Sequence, residues 1–282
     1  MMEGLEVLSP GLLTTVQDGG RPGWRRFGIP PGGAMDRAAW QNANRLLHNA
    51  LDCPVLECLQ GARLRALNET TVATSGAWGA LAWTAQPGEI IEFPANLAGV
   101  WHYLALPGGV AAERFLGSAS VCARAGIGTA LAKGDRIVWL GNPAATLPPG
   151  VKCRHPIPLE DEFDIPDSLR LWPGPQWAQF DAAAQRGLFG QAWRISARSD
   201  RTGYRLVGAA IAPPAGELVS EPVRVGSIQV PPNGQPVITL YDGPTVGGYA
   251  KIALIDPADL DRLVQTRPGQ SVRFTRMPGC WT

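Results

Sequence analysis

This 282-residue sequence predicts a mainly β protein: two tandem β-barrel domains related by internal duplication, with a few short helices. Three observations carry that reading. First, residues 21–25 (R-P-G-W-R) recur as residues 201–205 (R-T-G-Y-R), an R-x-G-aromatic-R pattern, and further blocks follow in the same order in both halves. L-E-V-L-S-P-G from Leu5 matches L-R-L-W-P-G from Leu169, and P-V-L-E-C-L-Q-G from Pro54 matches P-V-I-T-L-Y-D-G from Pro236. P-G-E-I-I-E-F from Pro87 matches P-G-Q-S-V-R-F from Pro268. A period of half the chain is too long for a solenoid or a propeller blade. Second, 34 glycines and 26 prolines favour many short strands joined by turns over long helices. Third, a hydrophobic fraction of 45% over this length is enough for two buried cores.

The boundaries follow from where the pattern breaks. Residues 1–140 form a first domain with an extra C-terminal segment, and residues 169–282 form a second. Residues 141–168, rich in proline and acidic residues and without sustained period, read as the connection. Strands are expected at Val55 to Leu59, Glu89 to Phe93, Trp101 to Leu106, Arg136 to Leu140, Pro222 to Gln229, Val237 to Leu240 and Ser271 to Phe274. Three helices interrupt them. Asp36 is a good N-cap for a helix to about His48, with Ala39, Trp40, Ala43, Leu46 and Leu47 on one face. A second is expected from Gln176 to Gln185. A third follows Asp256, with Pro257 in the first turn and Leu260, Leu263 and Val264 buried. The segment from Trp101 to Leu140 has no counterpart after Phe274, so either the second barrel closes differently from the first or the extra piece lies between the domains.

Charge excludes some functions. With 25 basic and 24 acidic residues, the net charge of +1 gives no bulk attraction to nucleic acid or to an anionic membrane. The N-terminus has no basic segment leading into an apolar run, and no stretch of 18 apolar residues occurs, so a cytoplasmic protein is expected. Five cysteines without a C-x-x-C fit reduced thiols. His48, His102 and His155 lack metal-ligand spacing, and no metal site is expected. Neither a Walker loop nor a G-x-S-x-G elbow is present.

The densest polar, glycine-rich stretch runs from Thr14 to Asp36. Its glycines, Gly20 and Gly33 among them, let backbone amides approach an anion, and arginine forks hold carboxylates or phosphates in paired hydrogen bonds. The same groups also suit a turn network that ties a long loop down. In the second half an Arg-rich turn (Arg201, Tyr204) precedes an amide-bearing loop (Gln229, Asn233) and a Gly-Gly turn carrying Tyr249 and Lys251. Lys251 is one of only three lysines and either meets an anion or ends a strand in solvent. Glu57 sits in an apolar strand pattern, where a carboxylate is either paired with an arginine or functional.

The stretch V-Q-D-G-G-R-x-G-x-x-x-x-G-x-P-x-G-G-A-M-D, from Val16 to Asp36, resembles the signature of a known family. That family contains the C-type subunit of 5-oxoprolinase, KipA and the second allophanate-hydrolase-type subunit within urea carboxylases. Further matches are N-A-N-R-L from Asn42, Y-L-A-L-P-G-G-V from Tyr103, L-G-S-A-S from Leu116, S-D-R-T-G-Y-R-L from Ser199, G-S-I-Q-V-P-P-N-G-Q-P from Gly226 and V-G-G-Y-A-K-I from Val246. The chain departs from the family where T-V-G-G-Y-A stands for the usual Thr-Gly-Gly-Tyr-Pro turn, and around Asp242. The resemblance implies two cyclophilin-like barrels and two partners: the KipI-like B-type subunit of 5-oxoprolinase and its A-type subunit. It implies an ATP-dependent opening of the 5-oxoproline lactam to glutamate, with Mg2+ accompanying ATP. Within that family a KipA-like regulatory binder of a kinase inhibitor is the alternative, and a carboxyltransferase component is a weaker one. The chain holds no biotin-acceptor M-K-M. For such a reaction Arg21 and Arg201 are the candidate anion contacts, and Asp18 or Asp36 would handle a proton or metal. Gln17, Gln229 and Asn233 would recognise an amide. Gly20, Gly33, Glu57, Tyr204, Tyr249 and Lys251 complete the candidate substrate-binding set.

Overall fold

A computed structural model describes residues 2–94, 99–141, 152–154, 168–216 and 218–281. The chain divides into two compact units: Met1–Arg21 with Gly32–Asp164, and Pro22–Pro31 with Ile165–Thr282. It is mainly β, with few short helices and a nearly closed barrel sheet, as the sequence predicts. Most of the expected connection at 141–168 lies outside the described residues.

Unit 1 contains two sheets. In the first, β1 (Met2–Pro10) is flanked by β4 (Ala62–Ala66) and β9 (Arg136–Trp139), and β7 (Ile90–Glu92) pairs with β4. Alternation on β4 follows from its position: Ala62, Leu64 and Ala66 point into the core, and Arg63 and Arg65 face out. Arg65 pairs with Glu6 across the strands at 2.7 Å. The second sheet runs β10 (Lys152–Arg154), β6 (Leu81–Ala85), β5 (Thr70–Gly76), β8 (His102–Ala105), β3 (Val55–Cys58) and β2 (Thr14–Gln17). The extra segment of the first half therefore supplies β8, an internal strand, and β9, a partner of β1.

Strands β5 and β6 escape the sequence pattern for a physical reason. T-T-V-A-T-S-G is buried along its whole length, one face toward the core at Val72 and the other against α1 (Arg37–Leu46), so it shows no polar alternation. Helix α1 begins where expected, with the Asp36 carboxylate accepting from Ala39 N at 2.8 Å. It buries Ala39, Trp40, Ala43 and Asn44, and the Trp40 indole and Asn44 amide both donate to Cys53 O at 2.9 Å. Leu5, Val7, Leu56, Leu64, Ile91, Phe93, Leu104, Ile137 and Trp139 fill the space between the sheets.

Unit 2 holds an eight-stranded sheet. Its order is β19 (Ser271–Val272), β12 (Trp193–Ile195), β13 (Gly203–Val207), β16 (Val237–Thr239), β15 (Ser227–Val230), β18 (Ala250–Ile255), β11 (Leu169–Pro173) and β20 (Phe274–Arg276). The last strand lies parallel to β11 and ends the sheet. The strand expected from Pro222 to Gln229 is broken: Gly226 turns the chain with φ of +86°. Before the break β14 (Glu221–Pro222) pairs with β17 (Val246–Gly247) in a separate ribbon. The expected helix at Gln176 to Gln185 is also divided. A 3-10 turn, Trp177–Gln179, stops at extended Phe180, and α2 (Ala182–Phe189) restarts on an Asp181 cap, 2.7 Å from Ala184 N. After Asp256 the chain runs through a 3-10 turn into α3 (Leu260–Val264), burying Leu260, Leu263 and Val264 as expected.

His102 on β8 is 1% exposed, stacks beside Phe93 with ring centroids 5.1 Å apart, and its Nδ1 has no hydrogen-bond partner among the described residues. Burial pushes its pKa down from 6.5 to about 4. The unfolded chain therefore takes up a proton below pH 6.5 that the folded chain refuses. Stability is full above about pH 6.5, falls as pH drops through the window to about 4, and levels below it. The expected loss is about 3 kcal/mol. Urea unfolding between pH 4 and 7 should show this slope, and His102→Phe should flatten it.

Candidate functional site

In unit 1 the signature loop is organised around the Asp18 carboxylate, which is 3% exposed. Its Oδ1 accepts from Gly20 N at 2.8 Å, Ser118 Oγ at 2.5 Å and Ser120 Oγ at 2.6 Å, and its Oδ2 accepts from Ala119 N at 2.7 Å. Ser120 Oγ in turn accepts from Asp18 N at 2.9 Å. Arg21 is 1% exposed and donates to the backbone oxygens of Ser120 and, at 3.4 Å, of Phe115. The Gln17 amide donates to Thr15 Oγ1 at 3.1 Å and to Val121 O at 2.9 Å. Two segments about a hundred residues apart in sequence, 17–21 and 115–121, are thus held by one polar network.

The loop returns at Gly33, whose φ is +98° and whose hypothetical Cβ would lie 3.0 Å from Gly20 N. Only glycine fits that close approach without strain. Beyond it, Met35 N donates to Glu57 Oε2 at 2.7 Å, Asp36 N donates to the Tyr103 hydroxyl at 2.7 Å, and that hydroxyl donates to Glu57 Oε2 at 2.8 Å. Burial and the Glu57 charge push the Tyr103 pKa well above its usual value, so the phenol stays protonated and donating. Gln17, Asp18, Gly20, Arg21, Gly33, Asp36 and Glu57 thus belong to unit 1, where each contributes to holding one loop.

The remaining candidates belong to unit 2. Arg201 and Asp242, both buried, form a two-pronged ion pair with Nε–Oδ2 2.8 Å and Nη2–Oδ1 3.0 Å. Tyr204 turns into the core and donates to Val264 O at 2.6 Å. Gln229 donates to Thr239 Oγ1 at 2.8 Å, and exposed Asn233 closes a turn onto Gln235 N at 3.1 Å. Lys251 is not a solvated strand end. Its Nζ lies 2.5 Å from Glu221 Oε1, the same oxygen accepts from Gln176 Nε2 at 2.6 Å, and Gln176 Oε1 accepts from Lys251 N at 3.0 Å. The hydrogen bond from Lys251 holds the Glu221 pKa below the usual carboxylate range. The residue before Lys251, Ala250, lines a groove of about 500 Å3 with Tyr249, Gly248, Leu218, Val230 and Gln179.

Sequence reasoning missed the partners more than the principals. Ser118 and Ser120 lie in the quoted L-G-S-A-S block, and Tyr103 opens another quoted block, but a single sequence does not say which loop meets which. Gln176 and Glu221 carry no local signal at all, because only β18 and the β14–β17 ribbon bring them to Lys251. Among the described residues no group of three or more His, Cys, Asp or Glu is placed to hold a metal ion. No helix among them is long and apolar enough to cross a membrane.

The fold and motifs define a class: the chain belongs to the carboxyltransferase domain family, subdomain A and B, whose model matches residues 27–276. Within it, the chain is 32% identical to the C-type subunit of the 5-oxoprolinase of Escherichia coli over 291 residues, covering 96% of this chain and 91% of that protein. It is 29% identical to the urea amidolyase of Lachancea kluyveri, covering 95% of this chain but 17% of that one. The solved structure of TTHA0988 superposes with a TM-score of 0.84 at 35% identity, covering 97% of this chain. The chain spans 55% of the TTHA0988 chain.

The Arg201–Asp242 pair yields a stability prediction. Asp242→Ala leaves a buried guanidinium without its carboxylate and should cost about 3–5 kcal/mol. Exchanging both for apolar residues, Arg201→Met with Asp242→Leu, should cost clearly less than the two single changes added together. A urea-unfolding double-mutant cycle reads this directly.

Proposed function

We propose that the chain is the C-type subunit of an ATP-dependent 5-oxoprolinase, acting with the KipI-like B-type subunit and the A-type subunit to convert 5-oxo-L-proline to L-glutamate. The carrying observation is coverage in both directions: nearly all of this chain aligns with nearly all of its 5-oxoprolinase relative, whereas it aligns with under a fifth of a urea amidolyase.

The chemistry sets what a site must provide. Amide resonance makes the lactam carbonyl a poor electrophile. Phosphoryl transfer from ATP to the lactam oxygen releases ADP and opens C5 to water; the resulting tetrahedral intermediate collapses with cleavage of the ring C–N bond, the amine taking a proton, and a second water hydrolyses the γ-glutamyl phosphate to glutamate and phosphate. ATP brings Mg2+ on its phosphates. The protein must hold the substrate carboxylate, bear the charge of the transferring group and keep bulk water away.

Lys251 is the cation we assign to an anionic group of the ligand. It is buried one residue along β18 from Ala250, which lines the groove, and a single carboxylate oxygen is its described side-chain partner, while an ammonium has three donors. Glu221 and Gln176 fix its position, and Tyr249, half exposed on the groove wall, covers the apolar part of the ligand. Arg21, Arg201, Asp18 and Asp36 are assigned to shaping the loops, because each already serves a partner in its own unit. Gln229, with its amide nitrogen on Thr239, keeps Gln-type recognition available through its oxygen.

With all three subunits purified together, wild type should consume ATP and release glutamate from 5-oxoproline. Lys251→Met should lower glutamate formation by about a hundredfold or more while the complex still assembles. Unchanged turnover would remove Lys251 from the site. A complete set without any glutamate release would remove the 5-oxoprolinase reading itself.

A further inference from the structure

The two copies of the R-x-G-aromatic-R motif use their aromatic residue in opposite ways. Tyr204 is 3% exposed, with its hydroxyl tied to Val264 O, whereas Trp24 is 36% exposed and Phe27 beside it 60%. The motif itself therefore does not dictate exposure, and the packing role that explains Tyr204 has no equivalent for Trp24. The 3-10 turn Arg25–Phe27 buries none of its residues. Trp24 and Phe27 stand with ring centroids 5.6 Å apart, and the Arg26 guanidinium lies 4.8 Å from the Phe27 ring.

This patch is held from below. Arg25 donates through Nη2 to Val223 O and, at 3.0 Å, to Pro244 O, so the turn that carries Trp24, Arg26 and Phe27 is fastened within unit 2. A fastened turn loses little conformational freedom on association, and Trp, Arg and Phe are the residue types that concentrate binding energy at protein interfaces. Residues 20–31 contain Arg21, Arg25 and Arg26 and no acidic residue. With Arg21 buried, the outward charge is that of Arg26 and the partly exposed Arg25.

We infer that residues 24–27 are a docking knob for the KipI-like B-type subunit, whose surface offers an apolar pocket for Trp24 and Phe27 rimmed by Asp and Glu side chains that meet Arg26. This inference rests on the 5-oxoprolinase reading, in which the chain works beside other subunits. Complementary charge favours such a partner over a second copy of the chain, which would bring Arg26 to Arg26.

The test measures binding of the full chain to the purified KipI-like B-type subunit by calorimetry, with light scattering on the isolated chain. Trp24→Ala with Phe27→Ala should weaken binding at least about tenfold and leave the thermal midpoint within about 2 °C, as befits exposed side chains. Arg26→Glu should also weaken it, and wild-type affinity should fall between about 0.05 and 0.5 M salt. Wild-type binding that the double variant matches within about twofold overturns the knob alone. A midpoint lowered by about 5 °C or more, with binding loss to match, makes the turn structural and overturns it too. A dimer of the isolated chain that the double variant dissociates assigns the patch to self-association instead. No binding by wild type overturns the 5-oxoprolinase reading and the knob with it, and so is distinct from failure of the knob alone.

Discussion

Unit 1 depends on a carboxylate that is out of water. Asp18 is held by two backbone N–H groups and two serine hydroxyls, and three of those four donors lie at 118–120. An ionised group at that depth is stable only when its lone pairs are occupied. Satisfying Asp18 therefore fixes where residues 118–120 run, and Arg21, donating to the Ser120 carbonyl, repeats the constraint from the other side. The direction of the signature loop follows from these two groups, and so does the close approach at Gly33. From there the chain enters the Met35–Asp36 step, where Glu57 and Tyr103 take the two backbone N–H groups ahead of α1.

The same economy appears in unit 2 with different residues. Arg201 answers a carboxylate, Asp242, where Arg21 answers carbonyls. In both copies the first arginine of the motif is buried, so the duplicated feature is a guanidinium that binds backbone or side chain across a turn. What changed is the partner chemistry, and with it the fate of the aromatic residue just before the second arginine: Tyr204 is buried within β13, whereas Trp24 lies outside regular structure. Duplication supplied a scaffold with one fixed tie, and divergence acted on the residues around it.

How much of this the sequence discloses depends on the range over which each signal acts. The cap at Asp36, the helical start at Pro257, the stripe of Leu260, Leu263 and Val264, and the repeated strand blocks are local, and they stand where the pattern places them. Strand β5 is illegible because both of its faces are covered, and the end of the Gln176 helix is misread because Asp181 offers a second cap inside it. For the candidate site, the principal residues are visible as uncommon types in glycine-rich stretches, but their partners are not. Glu57 illustrates the limit. A carboxylate within an apolar strand announces that something must satisfy it, yet that Tyr103 and the Met35 amide do so depends on the pairing of β3 with β8.

Lys251 shows how such a constraint ties distant segments together. An ammonium on a central strand is destabilising unless compensated, and the apolar neighbours Ala250, Ile252 and Ala253 offer it nothing. Its compensation comes from Glu221 on a two-stranded ribbon separate from the main sheet, and from Gln176, which spans both by donating to Glu221 and accepting from the Lys251 amide. The ribbon that carries Glu221 pairs with Val246–Gly247, and the chain then passes through Gly248 and Tyr249, which wall the groove. Charge compensation and groove geometry are therefore coupled through one short segment.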